Sequence, residues 1–457
     1  MFNRMILGLV VLSAVLALPA AAGADDAIRM GTFAVDATPP LGSPLAYDPL
    51  KEVVMPLSCR GVVLLGDEQP IVLCAIDWIG IGNDGHKQFR QALAEAVGTT
   101  PGRVALHAVH QHDAPALDFS AEALLKQHGA GGVLFNVDHA RQVIADASTA
   151  VAQAVDQAVP ITHIGQGEGT VEQVASNRRI QDDDGKVLWT RYTSGASQER
   201  NRLAPVGLID PKVKLITFYQ DDKPLAALTY YACHPQSYYR TGGANPDFPG
   251  IARQLREEAT GTFHVHFSGA GGNIGAGKWN DGSPPYRQIL ADRLAAGIEA
   301  AWESVERSPI TATDLDWGVA PVALPLGGDR DAEDLAKRMA NETVSNTEKA
   351  EIARNLAWAQ RCDAGDTIDL QCLHLKQIRV LHMPGELLVE YQLAAQKMRP
   401  DLFVAMAAYG DYAPGYICLD VHYGQGGYEG SPRASRVAPP VEQVLMQAMA
   451  QLLETDK

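Results

Sequence analysis

An α/β fold of layered mixed β-sheets flanked by helices is what this sequence predicts, and three observations carry the prediction. Apolar runs of strand length alternate with amphipathic helical stretches along the chain. Five of those runs end directly in polar or glycine-rich residues, as strands do when they feed loops at one rim of a layered fold. Hydrophobic residues make up 46% of the 457, enough for a sizeable core.

At the N-terminus, Arg4 precedes an apolar run over residues 5–18 and then the small residues 19–24, the pattern of a cleaved export signal over 1–24. The run is too short to span about 30 Å of hydrocarbon. The remaining 25–457 reads as one exported domain, periplasmic or secreted. Between Ile28 and Val159, β-like runs at 59–65, 70–79 and 104–109 alternate with helices, on which Phe89, Leu93 and Val97, then Val143, Ala147, Ala150 and Ala154, share faces. Strand-like segments recur at 162–171, 212–219, 226–232 and 264–267, the last running into Ser268-Gly269-Ala270-Gly271-Gly272-Asn273. A helix is expected from about Tyr286, with Leu290, Leu294, Ile298 and Trp302 on one side. Residues 329–360 are charged and helix-favouring, which reads as a helical excursion on the surface. Sheet-like runs return at 377–382 and 402–407, and the terminal helix is 441–453. No internal repeat is evident.

Composition excludes several function classes. Thirty-eight Lys and Arg stand against 54 Asp and Glu, a net charge of −16, so nucleic acid is not an expected partner. Any membrane contact would be peripheral, through local apolar loops. Oligomeric state is not encoded legibly. Cys362 and Cys372 flank a short hydrophilic stretch where a disulfide is sterically easy, with the reduced pair equally open. Cys59, Cys74, Cys233 and Cys418 lie in or beside apolar runs and read as small buried side chains.

The chemistry-bearing residues follow the apolar runs. After 104–109 come His110 and His112; after 226–232 come Cys233 and His234; after 377–382 comes Pro384-Gly385-Glu386; after 402–407 comes a loop with Tyr412 and Tyr416. In extended backbone, His110 and His112 would project from one face and address one ion. An isolated His-x-His is more often a pair of satisfied histidines. Adding His234 and Glu386 from other strand ends shifts the reading to a metal site, because neutral imidazole and carboxylate suit zinc. His107 falls on the opposite face and reads as structural. A Cys233 nucleophile is disfavoured, since His234 beside it would point away. No G-x-S-x-G elbow is present, and the glycines after Ser268 lack dinucleotide-loop spacing.

Taken together, these motifs resemble the catalytic domain of the neutral ceramidase family, secreted zinc amidohydrolases that cleave the N-acyl bond of ceramide. The opening 31–40, His110-Gln111-His112-Asp113, Cys233-His234-Pro235-Gln236-Ser237, Pro384-Gly385-Glu386, Gly415-Tyr416 and Gly427-Tyr428-Glu429-Gly430 carry the resemblance from about Ile28 to Ala450. It implies a layered mixed-sheet fold and zinc held by His110, His234, Glu386 and Tyr416, with Tyr412 the alternative phenol. It also implies His112, Arg178 and Tyr428 as catalytic residues, with Arg179 the alternative guanidinium. Gly272, Asn273 and Gly275 occupy its substrate-binding turn. Gly275 stands where the family carries a serine, and no room remains for its C-terminal immunoglobulin-like domain. The expected substrate is ceramide or a related lipid amide; a non-lipid amide, ester or sugar-linked molecule is the alternative. A non-catalytic periplasmic metal- or ligand-binding protein is a third reading.

Overall fold

The strand Ile71–Ile76 is buried at every position, and its side chains alternate between two apolar clusters: Ile71, Leu73 and Ala75 in one, Val72, Cys74 and Ile76 in the other. A strand buried on both faces belongs to a sheet covered on both sides. The computed structural model describes residues 27–328 and 330–454, and three such sheets organise them. The export signal expected over 1–24 lies outside the described residues.

The first sheet contains β1 (Arg29–Asp36), β2 (Ser58–Leu65), β3 (Ile71–Ile76) and β4 (Val104–Ala108). Strands β1 to β3 are antiparallel, and helix α1 (Asn83–Val97) crosses over to bring β4 parallel to β3. Helices α2 (Phe119–Gln127) and α3 (Val137–Asp156) follow, with α3 packed on β1 and α1. The second unit runs β5 (His163–Thr170), β6 (Lys212–Gln220), β7 (Lys223–Tyr231), α4 (Asp247–Thr260), β8 (Phe263–Ser268) and α5 (Pro285–Glu303). The third runs β9 (Leu315–Val322), α6 (Ala332–Met339), α7 (Asn346–Asp363), β10 (Ile368–Leu375), β11 (Ile378–His382), α8 (Val389–Met398), β12 (Phe403–Ala407) and α9 (Val441–Glu454).

These units share one plan. Three antiparallel strands are followed by a crossover helix and a fourth strand parallel to the third. A closing helix then packs on the first strand and on the crossover helix. The architecture is therefore repeated three times, contrary to the absence of a repeat in the sequence. What recurs is the burial pattern and strand order, which many different apolar side chains satisfy.

Inner faces of the three sheets meet in one core, including Val62, Leu64, Ile216, Phe218, Leu228, Val265, Leu373, Val380 and Ala405. Each outer face is covered by the crossover and closing helices of its unit, and that of the first unit also by α6 and α7 of the third. Close docking of the closing helices needs glycine in the first strand. A Cβ at Gly31 would lie 2.0 Å from Ala154 O, and one at Gly169 would lie 1.9 Å from Gly297 O.

One expectation is corrected here, and one question left open is answered. Residues 329–360 are largely helical, but α6 and α7 are not a surface excursion: Leu335, Met339, Ile352 and Leu356 enter the core of the first unit. Cys362 and Cys372 are both free thiols, because Cys362 ends α7 while Cys372 is buried within β10. Helix α4 was hidden by Pro249 and Gly250; the proline is tolerated because N–H groups in the first turn have no intrahelical acceptor to lose, and Gly250 N donates to Pro246 O. Among the described residues, no helix is long and apolar enough to cross a membrane.

His382 sits in this interior against the rings of Phe267 and Trp317, with Nε2 unpartnered. Burial pulls its pKa down to about 3 from 6.5. The unfolded chain therefore binds the extra proton below pH 6.5, and stability is lost as pH falls from there toward 3. His382→Leu is expected to remove about 2 kcal/mol of the stability difference between pH 7.5 and pH 5, measured by urea unfolding at both values.

Candidate metal centre

The parallel edges of the three sheets are joined at their C-terminal ends. Ser268 N donates to His107 Nε2 (3.0 Å) and Ser268 Oγ to Val109 O (2.7 Å), linking the second unit to the first. Ala408 N donates to Ser268 O and Ala108 N to Tyr409 O, both at 3.0 Å, bringing in the third. His107 thus acts structurally, as expected. Loops leaving this junction carry His110 and His112, then His234, then Glu386.

The His-x-His pair lies beyond the strand rather than in it, because β4 ends at Ala108 and His110 adopts the left-handed region with φ 76°. Its N–H donates to Trp78 O at 2.9 Å, which holds the turn. For a residue with a Cβ this backbone is strained, and such strain persists where surrounding contacts enforce it. Glu386 opens a two-residue strand: Glu386 and Leu387 pair in parallel with Tyr416 and Ile417. This pairing sets Glu386 directly beside Tyr416.

Four donor groups converge. His110 Nε2 lies 3.1 Å from His234 Nε2, and His112 Nε2 lies 3.0 Å from the same atom. Glu386 Oε2 is 3.3 Å from His110 Nε2 and 3.7 Å from His234 Nε2. All four side chains are buried. The three imidazoles form a group able to hold a metal ion.

Hydrogen bonds at the far nitrogens sort these imidazoles. His110 Nδ1 faces Ile79 O (2.5 Å) and His234 Nδ1 faces Gly271 O (3.4 Å). A carbonyl can only accept, so both Nδ1 atoms carry the proton and both Nε2 atoms present lone pairs. His112 is the reverse: Gln236 Nε2 donates to its Nδ1 at 3.0 Å and Tyr47 Oη lies 2.9 Å away, leaving Nε2–H as a donor. Burial, the neighbouring imidazoles and Arg178 hold His112 and His234 well below the ordinary histidine value, so both are neutral.

The centre therefore gathers the lone pairs of His110 Nε2 and His234 Nε2 beside a carboxylate, with His112 Nε2–H directed at His234 Nε2. Glu386 Oε2 is buried without a hydrogen-bond partner, while Oε1 accepts from Tyr412 Oη at 2.7 Å. Burial alone would raise the Glu386 pKa, but the Tyr412 and Tyr416 hydroxyls oppose this, and the net shift is below the usual value, so it is ionised. Ligand atoms 2.0 to 2.1 Å from a tetrahedral ion stand about 3.4 Å apart. The separations of 3.1, 3.3 and 3.7 Å among His110, His234 and Glu386 fit that triangle.

A second ring surrounds the first. Arg178 Nη2 donates to Tyr416 Oη (3.3 Å) and to Glu429 Oε1 (2.9 Å), and its guanidinium lies over the rings of Tyr416 and Tyr428. Burial opposes its charge, but Tyr416 and Glu429 more than offset this and raise its pKa well above the usual value. Arg179 turns the other way, to Glu429 Oε2 and Gln425. Gly275 lies against Arg178, where a Cβ would meet Arg178 Cδ at 3.3 Å. Asn273 uses its amide on Val389 N and Glu390, and Gly272 backs onto Glu386 O, so both brace the Glu386 strand.

No family model and no curated protein sequence matches this chain. Solved structures do. The crystal structure of neutral ceramidase from Pseudomonas aeruginosa superposes with a TM-score of 0.66 at 17% identity, over 94% of this chain and 74% of that one. This chain has the neutral ceramidase fold. A ceramidase complexed with C2 gives 0.65 at 15% identity, over 94% and 75%. The motif resemblance and the ceramidase fold therefore agree across nearly the whole chain.

Sequence reasoning missed Tyr47, Gln236 and Glu429. Gln236 and Glu429 stood inside quoted motifs, but their partners are distant in the chain; Tyr47 carried no motif. Glu429 is wholly buried between two guanidiniums. Glu429→Ala is expected to cost about 3 to 5 kcal/mol of unfolding free energy, the penalty for stranding a buried charge, read from urea midpoints.

Proposed function

We propose that this chain is an exported zinc-dependent hydrolase that cleaves an N-acyl amide bond, with ceramide or a related lipid amide as leading substrate. The observation that carries the reading is the triangle of His110 Nε2, His234 Nε2 and Glu386 Oε2. Support also comes from solved structures of this fold that are named as ceramidases.

In this reading His110, His234, Glu386 and Tyr416 hold zinc. The bound ion would supply Lewis acidity and an acidified water for attack on the amide carbonyl. His112, held at Nδ1 by Tyr47 and Gln236, would relay to the leaving amine the proton that the attacking water gives up, and so is neutral before and after the step. Arg178, kept charged by Glu429, and Tyr428 stabilise the oxygen that gains charge. Gly275 beside Arg178 lines the substrate side, with Gly272 and Asn273 supporting its turn.

A non-lipid amide, ester or sugar-linked substrate is the second reading. It is favoured by Gly275, which offers no hydroxyl to a ceramide headgroup.

Activity on an N-acyl amide is expected to disappear on chelation and return with zinc; turnover insensitive to chelation would overturn the reading. His112→Ala is expected to retain one zinc per chain by elemental analysis while kcat falls by about 10² to 10⁴. An unchanged biological role in that variant would favour a non-catalytic binding protein.

A further inference from the structure

A pocket of about 120 Å³ adjoins the centre on the far side of two tyrosine rings. Tyr47 and Tyr412 line it, and so do Arg354 and Arg436. Tyr47 places its hydroxyl on His112 Nδ1, and Tyr412 places its hydroxyl on Glu386 Oε1. Pocket and centre are thus separated by the length of a phenol side chain. The volume holds about four water molecules, too little for a sugar or an acyl chain and enough for one small ionic group.

Buried arginines of this chain are either paired with carboxylates, as in Arg253–Asp77, Arg361–Asp411 and Arg287–Asp113, or spread over neutral oxygens, as Arg191 and Arg330 are. Arg354, half-buried, has no hydrogen-bond or ion-pair partner among the described residues. Arg436 donates only to neutral oxygens, Nε to Asn355 Oδ1 (3.1 Å) and Nη1 to Ala413 O (3.0 Å). Asp118, the one carboxylate in the wall, accepts from Ala121 N (3.0 Å) and Asn83 Nδ2 (2.8 Å). Burial pushes its pKa up to about 6, which weakens its neutralising effect just below pH 7. Two guanidiniums therefore line a small, partly open pocket whose wall holds one carboxylate, Asp118. A ligand anion with bidentate geometry would supply the second countercharge.

We propose that this pocket is an anion subsite of the centre, taking a carboxylate or phosphate group that the substrate bears one phenol length from its scissile bond. The substrate class becomes an N-acyl amide with an anionic substituent, and that refinement rests on the hydrolase reading above. An acidic protein of net charge −16 would otherwise repel such a substrate, so a local cationic pocket supplies the recognition.

The test uses the full zinc-loaded chain and three matched N-acyl amides bearing a carboxylate, a phosphate or a neutral group at the same position. At least one anionic amide is expected to exceed the neutral one in kcat/KM by about tenfold, and the larger ratio tells carboxylate from phosphate. Arg354→Gln is expected to bring that ratio to about one, and Arg354→Lys to restore part of it. Equal turnover of all three, or a ratio unaltered in Arg354→Gln, overturns the subsite while leaving the hydrolase reading intact. A second arm titrates inorganic phosphate and acetate by calorimetry. If no amide is cleaved but either ion binds the parent chain about tenfold more tightly than Arg354→Gln, the subsite stands and the hydrolase reading fails. Absence of both cleavage and binding ends both.

Discussion

Acceptor atoms of like polarity held about 3 Å apart in a buried setting are the constraint on which the centre depends. His110 Nε2 and His234 Nε2 both present lone pairs, and the ionised Glu386 adds a third acceptor beside them. Such a group is unfavourable without a cation and needs rigid support. That support is covalently remote: Ile79 O and Gly271 O fix the two tautomers, and the pairing of Glu386 with Tyr416 fixes the carboxylate. His110 even holds a left-handed backbone to reach its position. The centre is thus determined by backbone groups as much as by its own side chains.

Much of the fold was legible because double-sided burial leaves long apolar runs. Runs read at 59–65, 104–109 and 212–219 became β2, β4 and β6 with ends shifted by a residue or so. Strands β9 and β10 were missed because polar residues such as Asp316, Asp369 and Gln371 interrupt them. The threefold plan was invisible because position within a sheet, not side-chain identity, is what recurs. His110, His234 and Glu386 were legible because each follows a strand end. The geometry that joins the His110 pair was not, since it comes from a turn and not from strand pleating.

The ring around the centre separates residues that composition alone could not distinguish. Arg178 and Arg179 are adjacent, yet one faces Tyr416 and the other Gln425, with Glu429 between them. Tyr412 and Tyr416 divide similarly: Tyr412 donates to Glu386, while Tyr416 accepts from Arg178. Gly275 sits under Arg178, so the position that carries a serine in the resembled family bears here on how that guanidinium is seated.

The tripartite plan also governs the order in which the molecule matures. Imidazoles from the first two units leave the ribosome long before the carboxylate at 386 and the phenols at 412 and 416, which belong to the third. A nascent chain halted after the second sheet has the imidazoles of the centre without Glu386, and Arg178 without Glu429. The centre is therefore completed late, by docking of the last unit, and a chain cut short before residue 386 lacks the carboxylate and both phenols that surround the imidazoles.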